Sequence, residues 1–186
     1  MVDGIILAGG FSSRCGSNKM VFDFNGKPMI WHTINSMRPF VNRIIVVTGR
    51  YDQETRDILK DEKDIEFAFN ENFESGMFSS VKKGVEKVNN DFFIIPGDCP
   101  FVASTTFEAI LKGTGMVRYP VCNGREGHPI FIKHELKEAL LNEGKDSNLR
   151  IFRDKQDVEK VSVDDPCIVN DIDTYEDYLK IINERK

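Results

Sequence analysis

An arginine and a lysine share one glycine-rich stretch near the start of the chain, Leu7-Ala8-Gly9-Gly10-Phe11-Ser12-Ser13-Arg14-Cys15-Gly16-Ser17-Asn18-Lys19. The stretch closes the first apolar run, so it reads as a loop at the end of a strand. Adjacent glycines let the backbone turn sharply and aim its N–H groups at an anion. Ser12 and Ser13 add hydroxyl donors, Arg14 a planar fork for phosphate oxygens and Lys19 a mobile point charge. Gly16 keeps the loop able to bend between the cations. A surface turn can carry the same residue types, but two cations in one such loop favour a phosphate cradle. Met20 follows Lys19, so the loop is not GxxxxGK[ST], and it does not read GxGxxG either.

A second chemistry needs carboxylates. Asp98 ends the run Ile94-Ile95-Pro96-Gly97-Asp98-Cys99-Pro100. An acid at the tip of a buried strand is placed to meet a ligand, and magnesium takes one or two carboxylates alongside water and substrate phosphates. Capping the next helix is the other role open to Asp98. Near the C-terminus Asp171 and Asp173 flank Ile172 ahead of a helix, and Asp173 reads as a turn or capping residue or as a metal ligand. Ser79 and Ser80 stand near a helix start, where they read as caps or as polar groups for a ligand. His128, between Gly127 and Pro129, sits on a constrained backbone; an isolated histidine in a turn is often only a hydrogen-bonding surface residue. His32 and His134 read as structural or exposed. Phe40, Phe67, Phe69, Phe92, Phe93 and Phe107 read as core.

The pattern Leu-Ala-Gly-Gly-x-Ser-x-Arg-x-Gly-x-x-Lys at Leu7 to Lys19 resembles the signature of nucleotidyltransferases with a Rossmann-like fold. Within them it is most similar to the molybdenum cofactor cytidylyltransferase and guanylyltransferase group, and closest to the cytidylyltransferases. Asn25-Gly26-Lys27-Pro28 is similar to the family's turn into its first long helix. The resemblance implies a loop wrapping the triphosphate through Gly9, Gly10, Ser12, Arg14 and Lys19. It implies Asp173 as a second acid near the metal beside Asp98, with magnesium as cofactor and manganese as the alternative. The run Gly76-Met77-Phe78-Ser79-Ser80-Val81-Lys82-Lys83-Gly84 resembles the group's nucleotide-binding helix start. Asn70, Ser79 and Ser80 would then read the base, with backbone groups of Leu7 and Ala8. Gly127-His128-Pro129 resembles the group's Gly-(His/Asn)-Pro motif, expected beside the pterin acceptor. Cys15 and Cys99 depart from the pattern without removing a charge, although Cys99 exposes the site to oxidation or thiophilic metals.

Such chemistry needs positioning more than a protein nucleophile. Attack on the α-phosphorus of CTP by the acceptor's phosphate expels pyrophosphate, and cations must offset the charge. Arg14 near the outer phosphates, Lys19 near the α-phosphate and a metal on Asp98 would do so. A guanylyltransferase, a sugar- or alditol-phosphate nucleotidyltransferase on the same core, and a non-catalytic nucleotide-binding accessory protein are the competing readings. A molybdoenzyme or its chaperone is the implied protein partner.

The elements that must hold these residues alternate. Strands are expected over Gly4–Ala8, Arg43–Thr48, Ile65–Phe69, Asp91–Pro96, Met116–Cys122, Pro129–Lys133 and Val158–Val163. Helices are expected over Pro28–Met37, Asp52–Lys60, Ser79–Val88, Ser104–Lys112, Glu135–Asn142 and Thr174–Glu184, with a loop over Asn142–Asn148. Three of the strands are near-continuous apolar runs, as parallel strands covered on both faces require. The expectation is an α/β three-layer sandwich with a mainly parallel central sheet, ligands gathering at the carboxyl ends of its strands.

Composition bounds the rest. The 186 residues are 40% hydrophobic and 30% charged, which suits one domain with a sizeable core. A net charge of -5 argues against a nucleic-acid partner. No apolar run approaches the roughly 20 residues that cross a bilayer, and no basic segment precedes a long apolar one, so neither membrane nor signal peptide is expected. The four cysteines lack CxxC pairing and read as reduced thiols, in keeping with a cytoplasmic protein.

Overall fold

A computed structural model describes residues 1–10 and 17–169. Ser12, Arg14 and Asp173, and the helix expected over Thr174–Glu184, lie outside the described residues.

The chain begins with β1 (Val2–Ala8), a short hairpin of β2 (Asp23–Phe24) and β3 (Lys27–Pro28), and α1 (Met29–Met37). β4 (Arg43–Thr48), α2 (Asp52–Ile58), β5 (Ile65–Phe69), α3 (Met77–Lys87), β6 (Asp91–Pro96) and α4 (Ser104–Lys112) continue the alternation. Then come β7 (Val117–Cys122), β8 (Arg125–Glu126), β9 (Ile130–Ile132), α5 (Lys137–Leu141), α6 (Leu149–Arg153) and β10 (Val158–Ser162). The main sheet has the order β10-β7-β9-β6-β1-β4-β5, with β8 paired to β7. β6, β1, β4 and β5 run parallel to one another, as do β7 and β10; β9 runs antiparallel between β6 and β7.

Both faces of this sheet are covered, which is why its central strands are apolar throughout. Ile6, Val46, Phe93 and Ile95 pack with Met29, Ile30 and Ile34 of α1 and with Phe107 and Ile110 of α4. Ile5, Leu7, Val47 and Ile94 point the other way, onto Val81 and Val85 of α3, Leu140 of α5 and Phe152 of α6. Alternate residues of β1 therefore serve opposite cores, the period of two expected of a strand. Phe93 meets Phe107 and Phe131 edge-on at 5.4 and 5.3 Å. Phe69 departs from the expected core role: it ends β5 with 37% of its surface exposed.

Several boundaries move for physical reasons. Pro28 is not in the first turn of α1 but one residue before it, with extended backbone, pairing with Asp23. Asn25 and Gly26 both take positive φ, 53° and 78°, the left-handed conformation that a tight two-residue hairpin demands. α3 starts at Met77, so Ser79 and Ser80 lie within its first turn and not before it. α6 was not expected; Asn148 caps it, accepting from Ile151 N at 2.9 Å. His32 bonds Phe24 O at 2.9 Å through its ring, and His134 is exposed. Among the described residues no helix is long and apolar enough to cross a membrane.

Candidate active site at the carboxyl ends of β1 and β6

Gly9, one residue beyond β1, has no room for a side chain. A Cβ there would stand 2.8 Å from Ser80 Oγ. Gly49, one residue beyond β4, closes the other side, where a Cβ would meet Gly9 O at 2.6 Å. Gly10 is exposed and has open space at its Cβ position. Close packing thus fixes the first glycine, while the second leaves backbone within reach of an anion. Sequence reading missed Gly49, whose signal was its place directly after a buried strand.

Asp98 is held just beyond β6 by its neighbours. Gly97 N donates to Leu7 O at 2.9 Å, joining the turn to β1. Thr33 of α1, fully buried, donates its hydroxyl to Gly97 O at 2.8 Å. Met20 covers Gly97 so closely that a Cβ on that glycine would lie 2.7 Å from its Sδ. Asn18 anchors the turn that carries Met20, accepting from Met20 N at 3.1 Å and donating to Glu54 Oε2 at 3.2 Å. Those anchors bring Lys19 onto Asp98, and the two form an ion pair with 13% of each side chain exposed. Cys99, next to Asp98, is fully buried, which shields the thiol that sequence alone left open to attack. Cys99, Cys122 and Cys167 form no disulfide among the described residues.

Among the described residues no group of three or more His, Cys, Asp or Glu gathers as a metal cluster. Asp98 is nevertheless a hard oxygen donor at a strand end, and magnesium draws most of its ligands from phosphates and water. The residues present fit such an ion.

Asn70, Ser79 and Ser80 form one cluster. Asn70, 2% exposed, donates Nδ2 to Ser79 Oγ at 2.8 Å and to Ser80 Oγ at 3.0 Å. Its Oδ1 accepts from Asn72 N at 3.0 Å. Ser79 Oγ is also 2.9 Å from Asn72 O and 2.8 Å from Gly76 O. The serines therefore do not cap α3. They hold the Asn70 amide against the wall beside Gly9.

On the other side of Asp98 lies His128. Gly127 N donates to Pro120 O at 3.0 Å and His128 N to Ile168 O at 2.8 Å, so this turn is braced from both flanks. A Cβ on Gly127 would fall 2.2 Å from Ile168 O. Burial holds the His128 pKa down to about 4 despite the opposing charge of Asp98, and Arg153 adds to the fall. The ring hydrogen-bonds the Ile94 backbone, while Nδ1 is enclosed with no partner among the described residues. His128 is thus neutral near pH 7, an acceptor and a weak base.

His128 opens onto a cavity of about 690 Å³ between α3 and α6. Phe78, Val81, Ile130 and Leu149 give it apolar walls, and Glu126, Arg150 and Arg153 give it charge. Gly127 lines it and Pro129, buried behind, does not. Arg150 and Arg153 were missed in the sequence because α6 was; Asn148 as a helix cap was the available signal.

A mainly parallel sheet with two glycines directly after its first strand, and a lysine–aspartate pair at the adjoining strand end, is the arrangement of a nucleotide-binding α/β protein. The MobA-like NTP transferase domain matches residues 4–161, and the chain belongs to that family, a family of nucleotidyltransferases. It is 29% identical over 181 residues, 96% of this chain and 94% of the relative, to the molybdenum cofactor cytidylyltransferase of Escherichia coli K12. It is 30% identical over 152 residues, 77% of this chain and 76% of the relative, to a probable molybdenum cofactor guanylyltransferase of Bacillus cereus Q1. A solved nucleotidyl transferase from Methanothermobacter thermautotroptrophicus superposes with a TM-score of 0.85 at 24% identity, covering 99% of this chain and 97% of that one.

Proposed function

We propose that the chain transfers CMP from CTP to the phosphate of a molybdopterin-type cofactor, releasing pyrophosphate. The observation that carries the reading is the Lys19–Asp98 pair flanked on one side by the Gly9–Gly49–Ser80 packing and on the other by His128 and its cavity. Nucleotide and acceptor then approach Asp98 from opposite sides. An oxygen of the acceptor's phosphate attacks the α-phosphorus; a new P–O bond forms, and the α–β bridging bond breaks with its electrons leaving on pyrophosphate.

The chain's own part is positioning and charge. Lys19 leaves its pairing with Asp98 to meet the α-phosphate, and Asp98 is the carboxylate that would hold magnesium. Arg14 serves the outer phosphates. A magnesium ion, when bound by Asp98 and Asp173, supplies further charge neutralisation at the phosphate oxygens. Asn70, Ser79 and Ser80 shape the base site, together with Leu7 and Ala8. Gly127 and His128 frame the acceptor and Pro129 backs them, with the neutral His128 ring on the cavity wall.

CTP is favoured over GTP because, of two relatives that each span 96% of the chain, the cytidylyltransferase is 29% identical and the guanylyltransferase 24%. GTP is the second reading, on comparable identity. Handover of the product to a molybdoenzyme or its chaperone would follow. The test is magnesium-dependent pyrophosphate release from CTP, GTP, ATP and UTP, with and without molybdopterin. Acceptor-dependent release from CTP is expected. A preference for GTP would move the reading to the sister activity, and silence from folded protein with every nucleotide would overturn it.

A further inference from the structure

We infer that Glu126, with Arg153 beside it, recognises the heterocycle of the acceptor by its 2-amino-4-oxo edge; this rests on the acceptor reading above.

Glu126 belongs to β8, two residues before His128, and lines the same cavity with 29% of its side chain exposed. Lys160 lies 2.8 Å from its Oε1, and Tyr119 donates its hydroxyl to the same oxygen at 3.1 Å. Arg153 forms an ion pair with its Oε2. Those donors, Lys160 foremost, hold the carboxyl at a pKa of about 2, so it is an acceptor at every physiological pH. Arg153 is itself fixed: 8% of its side chain is exposed, and its guanidinium lies 4.0 Å over the Tyr119 ring. The pair therefore presents an acceptor and a donor side by side in fixed orientation, on the wall of a cavity that also has apolar faces.

That is the complement of a particular edge. The 2-amino group of a 2-amino-4-oxo pyrimidine donates to a carboxylate oxygen, and its oxo group, on the same edge, accepts from a guanidinium. Lys160 and Tyr119 take both acceptor positions of Oε1 and Arg153 takes one of the two on Oε2, so Oε2 keeps one position for a further donor. Phe78, Val81, Ile130 and Leu149 supply faces for a flat ring, and about 690 Å³ accommodates a bicyclic heterocycle. The geography agrees. His128 borders both the cavity and Asp98, so a heterocycle seated against Glu126 carries its phosphate towards the Lys19–Asp98 pair.

The test is a fluorescence titration of 6-hydroxymethylpterin and of the matching lumazine, which carries an oxo group in place of the 2-amino group. Wild-type protein should bind the pterin about tenfold to a hundredfold more tightly, the effect of losing a hydrogen bond to a charged group. Glu126→Gln should lose most of that preference, chiefly through weaker pterin binding. Equal binding of the two heterocycles by wild-type protein, no binding of either, or an undiminished preference in Glu126→Gln would each overturn the inference. The comparison of two ligands on wild-type protein does not depend on how the variant folds. Pterin preference without acceptor-dependent pyrophosphate release would sink the proposed reaction and leave the heterocycle site standing. Release without preference would do the reverse.

Discussion

Replacing Thr33 with valine removes one hydroxyl from a helix and should be felt at a carboxylate on another element. The hydroxyl donates to Gly97 O at 2.8 Å, and both residues are buried. Valine has nearly the same shape, so the change strips the donor and leaves a buried carbonyl without it, a cost of about 1–3 kcal/mol. Thr33→Ser is the control. It keeps the donor and loses a methyl group, about 1 kcal/mol with the small cavity left behind. Urea unfolding alone will not separate the two, since their costs overlap. Pyrophosphate release will. Gly97 immediately precedes Asp98, and a displacement of about 1 Å at a reacting centre costs on the order of a hundredfold. Thr33→Val should therefore lose about tenfold to a hundredfold in kcat and need more magnesium for half-maximal rate, while Thr33→Ser stays near wild type in both. Equal impairment of the two variants, or a normal magnesium profile in folded Thr33→Val, would refute the reasoning.

Asp98→Asn should lower kcat by about a hundredfold or more while moving the urea midpoint little, because the amide keeps the volume and loses the charge that Lys19 and a metal require; normal turnover would remove Asp98 from the mechanism. Gly49→Ala forces a Cβ to within 2.6 Å of Gly9 O and 2.8 Å of Phe73 Cβ, so a stability loss of about 1–3 kcal/mol and a raised nucleotide KM are expected from unfolding and steady-state assays. His128 titrates near 4 when folded and at the ordinary 6.5 when unfolded, so the unfolded chain takes up the proton first and stability should fall as the pH drops from 6.5 towards 4. His128→Gln should flatten that window in pH-dependent unfolding. Glu126 is depressed to about 2 from 4.5, so its contribution is complete above 4.5 and lost below it, and Glu126→Gln should flatten only that more acid range.

What could be read from the sequence is what local patterning dictates. β1, β4 and β6 announce themselves because strands covered on both faces must be apolar without interruption, and Asp98 stands out as a charge directly after one of them. The Lys19–Asp98 pair was foreseeable only as two separate candidates. Their meeting depends on Met20 lying over Gly97 and on Asn18 bonding Glu54, contacts across 77 and 36 positions of chain that no window detects. α6 was lost for the opposite reason. At five residues it is too short for helical periodicity to show, and its signal is a single capping side chain at Asn148. With it went Arg150 and Arg153, two of the three charged residues in the cavity wall. The antiparallel β9 was expected as a strand, but its direction follows from the β7–β8 hairpin before it, where Asn123 and Gly124 take positive φ of 50° and 75°.

The hydrogen bonds of Asn70 bear on how one fold serves two bases. Both of its amide hydrogens are directed to serine hydroxyls and its oxygen accepts from Asn72 N, so the side chain is engaged within its own wall. A group so engaged acts on a base chiefly through the surface it shapes, and the surface it shapes is the backbone at Gly9, held between Ser80 and Gly49. On the proposed reading, the choice between a pyrimidine and a purine is then a matter of how far that backbone stands from Gly49 and which of its N–H and C=O groups face the base. A shift of a few tenths of an ångström, the amount a methyl group at either glycine would impose, is enough to misalign a hydrogen bond to a base edge. On that reading the choice of base rests on what packs behind Gly9 and Gly49.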